Sequence, residues 1–170
     1  DAEGMLLEAH ALFDLNRLAE AGPAFIRALG ANPAVRDRET WLRAGDCLAA
    51  AGDKPDALVC WQHAADESAV GLQAAWRIGQ ALEKDENWSE ALAAYGKVLK
   101  NPTANDEWRG AAEERIRAIE NDACFIVAEA LRVASAGDLD GAVGFFDRAL
   151  ALAPADASAW LERGVALARL

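Results

Sequence analysis

Positively charged residues are scarce in this sequence, and their scarcity limits the classes of partner that we expect. Only 17 lysines and arginines oppose 28 acidic residues, which gives a formal net charge of −11. A chain this acidic repels phosphate backbones and anionic lipid surfaces at long range. We therefore expect no nucleic-acid partner, and a basic or neutral protein is the partner that the charge favours.

Long apolar runs are also missing. No run approaches the ~20 residues that a bilayer-crossing helix needs, so we expect a soluble chain without direct membrane insertion. The sequence begins at Asp1 rather than Met, with no signal-peptide pattern, which indicates a processed form or an excised piece. The cytoplasm is the expected location, and the periplasm is the alternative.

Cysteine is too sparse and too irregularly spaced to build a framework. Cys47, Cys60 and Cys124 are odd in number and form no CxxC pair, so neither disulfides nor a zinc site is predicted. We expect all three to be small buried residues at helix contacts. Aromatic residues make up only 7% of a chain that is 53% hydrophobic, and alanine supplies much of the remainder. That composition suits helices packed closely through small side chains.

A repeated pattern fills most of the chain. The stretch GDLDGAVGFFDRALALAP at 137–154 is echoed by AGDKPDALVCWQHAADESA at 51–69, and more weakly near 18–33 and 87–102. In each copy an aromatic residue has a small residue four positions before it and a small or β-branched residue three positions after it. The aromatic positions are Phe25, Trp61, Tyr95 and Phe146, and Pro33, Pro102 and Pro154 close three of the copies.

A second helical pattern precedes each copy, with a small residue near its middle. Gly45 and Gly79 hold this position in two copies and lie 34 residues apart. Residues three or four apart share one helix face, so the large residues form a stripe and the small one lets a partner helix approach. A single hairpin of this kind cannot bury its apolar face, and we therefore expect hairpins that stack.

The period and the order of small, large and closing residues resemble the tetratricopeptide repeat. The resemblance implies an all-α fold, a right-handed α-α superhelix of antiparallel helix pairs. Three repeats occupy 2–35, 38–71 and 72–105, so that 1–105 is one three-repeat block. A fourth repeat at 123–156 and the first helix of a fifth at 157–170 make up the region 123–170.

The segment 106–122, DEWRGAAEERIRAIEND, does not fit a full repeat. It predicts one amphipathic helix with Trp108, Ala112, Ile116 and Ile119 on a single stripe. Two interpretations stay open: a separate helix that caps the third repeat, or a spacer that continues into 123–136 as one long rod. Asn121 and Asp122 favour a break, because both residue types cap helices well.

Residues that could perform chemistry are few and do not converge in the sequence. His10 and His63 belong to no HxxxH or HxxE pattern, and no nucleophile-elbow, Walker or dinucleotide-binding glycine pattern occurs. We therefore predict no catalytic residue, no metal site and no cofactor for this segment.

In the family that the repeats resemble, first helices line a concave groove that receives an extended peptide or a partner helix. The resemblance therefore implies an interaction scaffold that binds a protein segment in this groove or mediates assembly. Phe13 and Trp76 are the expected anchors, and Asp46 and Glu83 the expected acidic specificity points. The groove candidates in full are Leu6, His10, Phe13, Leu42, Asp46, Trp76, Gln80 and Glu83.

One subclass of the family holds a C-terminal carboxylate with a clamp of lysines and asparagines. The corresponding positions here are Leu6, His10, Arg43, Gln73 and Arg77, so only the last cation is matched. The resemblance therefore does not extend to capture of chaperone tails.

Two further functions stay open as alternatives. Residues 157–170 carry several large apolar residues with no helix after them, which predicts a chain cut from a longer protein and self-association through exposed terminal helices. The segment could accordingly be an accessory or dimerisation domain of a larger enzyme, such as a glycosyltransferase or another polymer-building enzyme. A periplasmic or secretion-associated scaffold is the other alternative.

Overall fold

The computed structural model describes residues 1–31 and 37–170, and within them it contains ten α-helices and no strand. Helices α1 to α6 form three consecutive pairs, and four more helices follow. Their bounds are α1 Ala2–Asp14, α2 Leu18–Ala31, α3 Arg38–Ala50, α4 Lys54–Ala64, α5 Ala69–Lys84, α6 Trp88–Lys100, α7 Asp106–Glu120, α8 Ala123–Ser135, α9 Leu139–Leu152 and α10 Ala157–Arg169.

The chain divides into two compact units, Asp1–Ala112 and Glu113–Leu170, whose boundary falls inside α7. In the first unit the hairpins α1–α2, α3–α4 and α5–α6 follow one another, with α2 packed on α3 and α4 packed on α5. The first helices of these hairpins also contact each other, α1 with α3 and α3 with α5. In the second unit α8 and α9 form a hairpin, and α10 packs on α9.

The turns inside the hairpins share one geometry. Each has three residues, and the middle residue takes a positive φ: Asn16 (58°), Gly52 (87°), Glu86 (57°) and Gly137 (93°). In the second hairpin the amide of Gly52 donates to the carbonyl of Ala49 and that of Asp53 to the carbonyl of Leu48. This pair of bonds satisfies the last carbonyls of the helix. Asn16 and Glu86 show that the geometry does not require glycine.

Short polar side chains begin most of the helices. Asp37, Asp53, Ser68, Asp122, Asp138 and Asp156 each accept a hydrogen bond from a backbone amide in the first turn that follows. Each such cap contributes about 1 kcal/mol. The cap at Asp122 starts α8 directly after α7 ends at Glu120, so residues 106–136 form two helices rather than one rod.

The interior of each hairpin is built around an aromatic ring. Phe25, Trp61, Tyr95 and Phe146 are all at most 4% exposed. A Cβ placed on Gly45 would lie 2.5 Å from Trp61 Cδ1, and one on Gly79 would lie 2.7 Å from Tyr95 Cε1. The backbone of the first helix thus rests directly on the ring of the second, because glycine leaves the space open.

The predicted all-α architecture of antiparallel hairpins is confirmed within each unit. Helix α5 starts at Ala69, three residues before the predicted repeat boundary at 72. Pro33, predicted to close the first repeat, lies outside the described residues. The one-rod form of the spacer is wrong, because α7 and α8 are separate helices. The role of 106–122 as a cap or a spacer stays a prediction, as do the repeat boundaries themselves.

Two glycines of one hairpin allow a matched test of this packing. Gly79→Ala should lower the free energy of unfolding by about 1–3 kcal/mol, because the new methyl group meets the buried Tyr95 ring. Gly96→Ala in α6 has nothing within 4 Å and should raise it by about 0.5–1 kcal/mol through helix propensity alone. Urea denaturation of both variants measures the difference, and equal shifts in the same direction would contradict the packing model.

Candidate protein-binding surface on the first helices

Helices α1 and α3 are joined by a polar network centred on His10 and Arg43. Arg43 Nη1 lies 3.3 Å from His10 Nδ1 and 3.1 Å from Asp14 Oδ1, and Arg43 Nε donates to Glu39 Oε1 at 2.9 Å. The same guanidinium stands over the Phe13 ring, 5.0 Å from its centroid. Two of the predicted groove residues, His10 and Phe13, are therefore held together by an arginine from the next repeat.

The hydrogen bonds fix the tautomer of His10. Arginine can only donate, so Nδ1 must accept from Arg43, and the imidazole proton resides on Nε2. Nε2 in turn lies 3.3 Å from Thr40 Oγ1, whose hydroxyl donates to Asp37 Oδ2 at 2.6 Å. Burial lowers the pKa of His10 below 6.5, and the charge of Arg43 lowers it further, while Asp37, Asp14 and Glu39 act more weakly in the opposite direction.

Asp46 links the second repeat to the third. Its Oδ1 accepts from Trp61 Nε1 at 3.1 Å and from Arg77 Nε at 3.1 Å. Asp46, the predicted specificity point, thus already accepts hydrogen bonds from the buried indole of its own hairpin and from an arginine of the next one. Removing it would leave the Trp61 N–H without this acceptor, so variants of Asp46 affect stability as well as recognition.

An aromatic cluster follows on α5, α6 and the start of α7. Trp76 is half-buried and lies edge-to-face against Tyr95, with centroids 5.2 Å apart, and against Trp108, with centroids 5.6 Å apart. Beside the two indoles is an open pocket of about 240 Å³, lined by Trp76, Glu107, Trp108 and Ala111. We call it the Trp76–Trp108 pocket. This pocket lies in the first unit, and its lining includes the predicted anchor Trp76.

The other predicted groove residues differ in accessibility. Gln80 is exposed, and Leu6 and Glu83 are half-buried, while Glu83 Oε2 accepts from the Tyr95 hydroxyl at 2.8 Å. Leu42 is only 4% exposed and belongs to the core, so its side chain is not accessible to a partner. The two expected acidic points, Asp46 and Glu83, are thus both bound to aromatic side chains of the core.

The groove candidates predicted from the sequence leave out three residues that shape this surface. Arg43 and Arg77 lie one period of 34 residues apart, and each pairs with a carboxylate on the first helix of the preceding repeat, at Asp14 and Asp46. That recurrence was a readable signal. Trp108 was assigned to the apolar stripe of its own helix, and nothing in the local sequence indicated its contact with Trp76.

The cysteines divide into two environments. Burial raises the pKa of the Cys47 and Cys60 thiols to about 11, so both stay protonated near neutral pH. These two fill helix contacts as predicted. Cys124 is exposed near the start of α8, and the expectation that it would be buried is wrong.

In residues 1–31 and 37–170, no helix combines the length and apolarity needed to cross a bilayer, and α5, the longest, has 16 residues. No group of three or more His, Cys, Asp or Glu side chains in that part of the chain is placed to hold a metal ion.

The repeats match a known family. A family model described as tetratricopeptide repeat matches residues 6–69 and 127–170, and a second model with the same description matches residues 73–104. The chain belongs to the tetratricopeptide repeat family. No curated protein sequence matches it.

Solved structures show the same fold at low sequence identity. The P58(IPK) tetratricopeptide domain has a TM-score of 0.59 at 22% identity, and the match covers 99% of this chain but 46% of that one. A tetratricopeptide repeat protein from Parabacteroides merdae gives 0.55 at 14% identity, covering 97% and 72%. The TPR2AB domain of yeast Sti1, solved as a pHSP90 complex, gives 0.52 at 20%, covering 98% and 70%. This chain thus spans less than half of the P58(IPK) domain.

The network around His10 predicts a pH dependence of stability. Because the folded-state pKa lies below that of the unfolded chain, the unfolded state binds the proton more readily, and the free energy of unfolding falls as the pH decreases through 6.5 and below. Protonation would place an N–H on Nδ1 facing the N–H of Arg43.

The variant His10→Gln removes this titration, and His63→Gln is the matched control that removes the other histidine. Urea unfolding of all three proteins at several pH values should show a smaller slope in this window for His10→Gln than for the wild type, and His63→Gln reports the effect of replacing a histidine elsewhere. An unchanged slope in His10→Gln would contradict the role assigned to the network.

Proposed function

We propose that this chain is a non-catalytic interaction module that binds an extended segment or a helix of another protein along the first helices α1, α3 and α5. The observation that carries the proposal is the Trp76–Trp108 pocket, where a half-buried indole at a predicted anchor position borders an open cavity. Tryptophan is enriched among the few residues that carry most of the binding energy at protein interfaces.

The second helices contribute to this function indirectly. The inward positions of α4 and α6 are occupied by buried residues such as Trp61 and Tyr95, which hold the first helices in place. Membership in a repeat family and the fold shared with the yeast Sti1 domain, which was solved in a complex, support an interaction role. The partner of that domain does not transfer to this chain, because the likeness extends to the fold alone.

The charges on the surface favour a neutral or basic partner segment. Arg43 is paired with Glu39 and Asp14, and Arg77 is paired with Asp46, so the cations nearest the expected groove are already balanced. A partner that offered a free carboxylate at these positions would compete with existing ion pairs. The remaining excess of acidic residues attracts positive charge at long range.

The role is tested by selecting random peptides displayed on phage against the whole chain and measuring affinities by calorimetry. We expect selected peptides to share a sequence pattern and Trp76→Ala to weaken their binding at least tenfold, a loss typical of an anchor residue. Trp88→Ala is the matched control, because Trp88 is also half-buried but belongs to the second helix α6. Equal losses in the two variants, or no selected peptide, would overturn the proposal.

Asp46→Lys is a poor variant for this purpose. It would remove the acceptor of Trp61 Nε1 and place a second cation beside Arg77. Thermal unfolding of each variant should accompany the binding data, so that a loss of affinity is assigned to the surface only in a folded protein.

We also propose that α10 mediates association between copies of the chain. Large apolar residues of α10 and the adjoining Leu170 are unusually accessible: Trp160 (51%), Leu161 (67%), Val165 (44%), Leu167 (46%) and Leu170 (61%). Clustered exposure on one helix is typical of surfaces that bind another protein. A second copy presents the same helix, as a symmetric dimer requires.

Sedimentation velocity over a range of concentrations tests this association. The wild-type chain should show a concentration-dependent dimer, and Leu161→Arg should shift it to monomer by placing a charge in the apolar face. Ala151→Arg on α9, also at an exposed position, is the control and should leave the dimer intact. A monomer at every concentration in the wild type would remove this function.

A further inference from the structure

The Trp76–Trp108 pocket has the size of a site for one side chain. Its volume of about 240 Å³ lies below the ~300–1,000 Å³ typical of sites for drug-sized ligands. A single residue projecting from a bound segment fits this volume. The chemistry of the lining then decides which residue that is.

The indoles form an aromatic corner. Their planes meet at 81° with centroids 5.6 Å apart, and Trp76 also contacts the Tyr95 ring. Tyr95 is fully buried, so Trp76 is backed by a fixed core residue. A perpendicular pair presents the face of one ring beside the edge of the other, and tryptophan faces attract cations more strongly than any other side-chain ring.

The charge in the lining has one sign. Glu107 is the ionisable residue among the four that line the pocket, and Asp106 precedes it in the first turn of α7. The amino terminus of α7 contributes only about half a positive charge, which these two carboxylates exceed. Arg77, which follows Trp76 in the sequence, has its guanidinium on Asp46.

We propose that the Trp76–Trp108 pocket binds the side chain of a lysine or arginine in the partner segment. The aliphatic stem lies along the indoles, and the cationic end is stabilised by a ring face and by the carboxylate of Glu107. This inference rests on the proposed function, and it adds the chemical class of the residue that enters the pocket. An apolar side chain in the same pocket is the competing outcome.

The first test is a double-mutant cycle on a selected peptide. Its basic residue is replaced by norleucine, which keeps the stem and removes the charge, and Glu107 is replaced by Gln. Norleucine should weaken binding about tenfold to the wild type but only about twofold to Glu107→Gln, because the lost partner is the same in both changes. Glu90→Gln on α6, exposed as Glu107 is, is the control and should leave the tenfold loss unchanged. An equal loss in wild type and Glu107→Gln would overturn the proposal.

The second test does not depend on finding a peptide. Acetyl-lysinamide and acetyl-norleucinamide are titrated separately into the ¹⁵N-labelled chain, and the six indole N–H resonances are followed by NMR. The Trp76 and Trp108 signals, assigned with Trp76→Phe and Trp108→Phe, should shift with the lysine compound and several-fold less with the norleucine compound. Equal shifts would identify an apolar pocket and overturn the proposal, as would the absence of any shift.

The two tests separate the two claims. If no peptide is selected but the lysine compound shifts both indoles, the proposed interaction role fails while the cation site stands. If peptides bind through Trp76 but carry no basic residue, the interaction role stands and the cation site fails.

Discussion

The close contact between a glycine of the first helix and an aromatic ring of its partner helix, seen at Gly45 and Trp61 and at Gly79 and Tyr95, is the constraint on which the rest of this structure depends. Ring and small residue are sixteen positions apart in all four hairpins: Ala9 and Phe25, Gly45 and Trp61, Gly79 and Tyr95, and Ala130 and Phe146. Glycine accompanies the larger rings and alanine accompanies phenylalanine. The smaller residue on the first helix thus occurs with the larger ring on the second, as dense packing requires.

This packing also orients residues at the surface, because the polar atoms of the buried rings form hydrogen bonds with them. Once Trp61 is fixed against Gly45, its Nε1 points to Asp46, and once Tyr95 is fixed against Gly79, its hydroxyl points to Glu83. Two acidic residues of the first helices are therefore oriented by the core. Among the described residues, no buried side-chain nitrogen or oxygen lacks a hydrogen-bond partner. A change in the core ring would accordingly move a charge on the outside.

Periodicity made the fold readable from the sequence, because hairpin packing repeats the same local requirements. The small residue, the ring and the turn recur at fixed offsets, and each offset reflects a contact within one hairpin. The surface was less readable, since its contacts join different repeats. Asp46 and Arg77 are 31 positions apart, and Trp76 and Trp108 are 32 apart, in segments whose relative placement depends on the whole stack. Trp108 lies in the one segment of the first unit that does not repeat.

The distribution of arginine explains how an acidic chain keeps its first helices together. Arg43 and Arg77 each form an ion pair with a carboxylate of the preceding repeat. These two cations therefore lie where the first helices of successive repeats meet. Such partly exposed pairs add little stability individually, about 0–1 kcal/mol, and each one joins two successive repeats. With these two cations engaged internally, the chain as a whole keeps its excess of acidic residues. At the Trp76–Trp108 pocket Glu107 lies beside two indoles, and the arrangement proposed to hold a cation there disfavours an acidic segment.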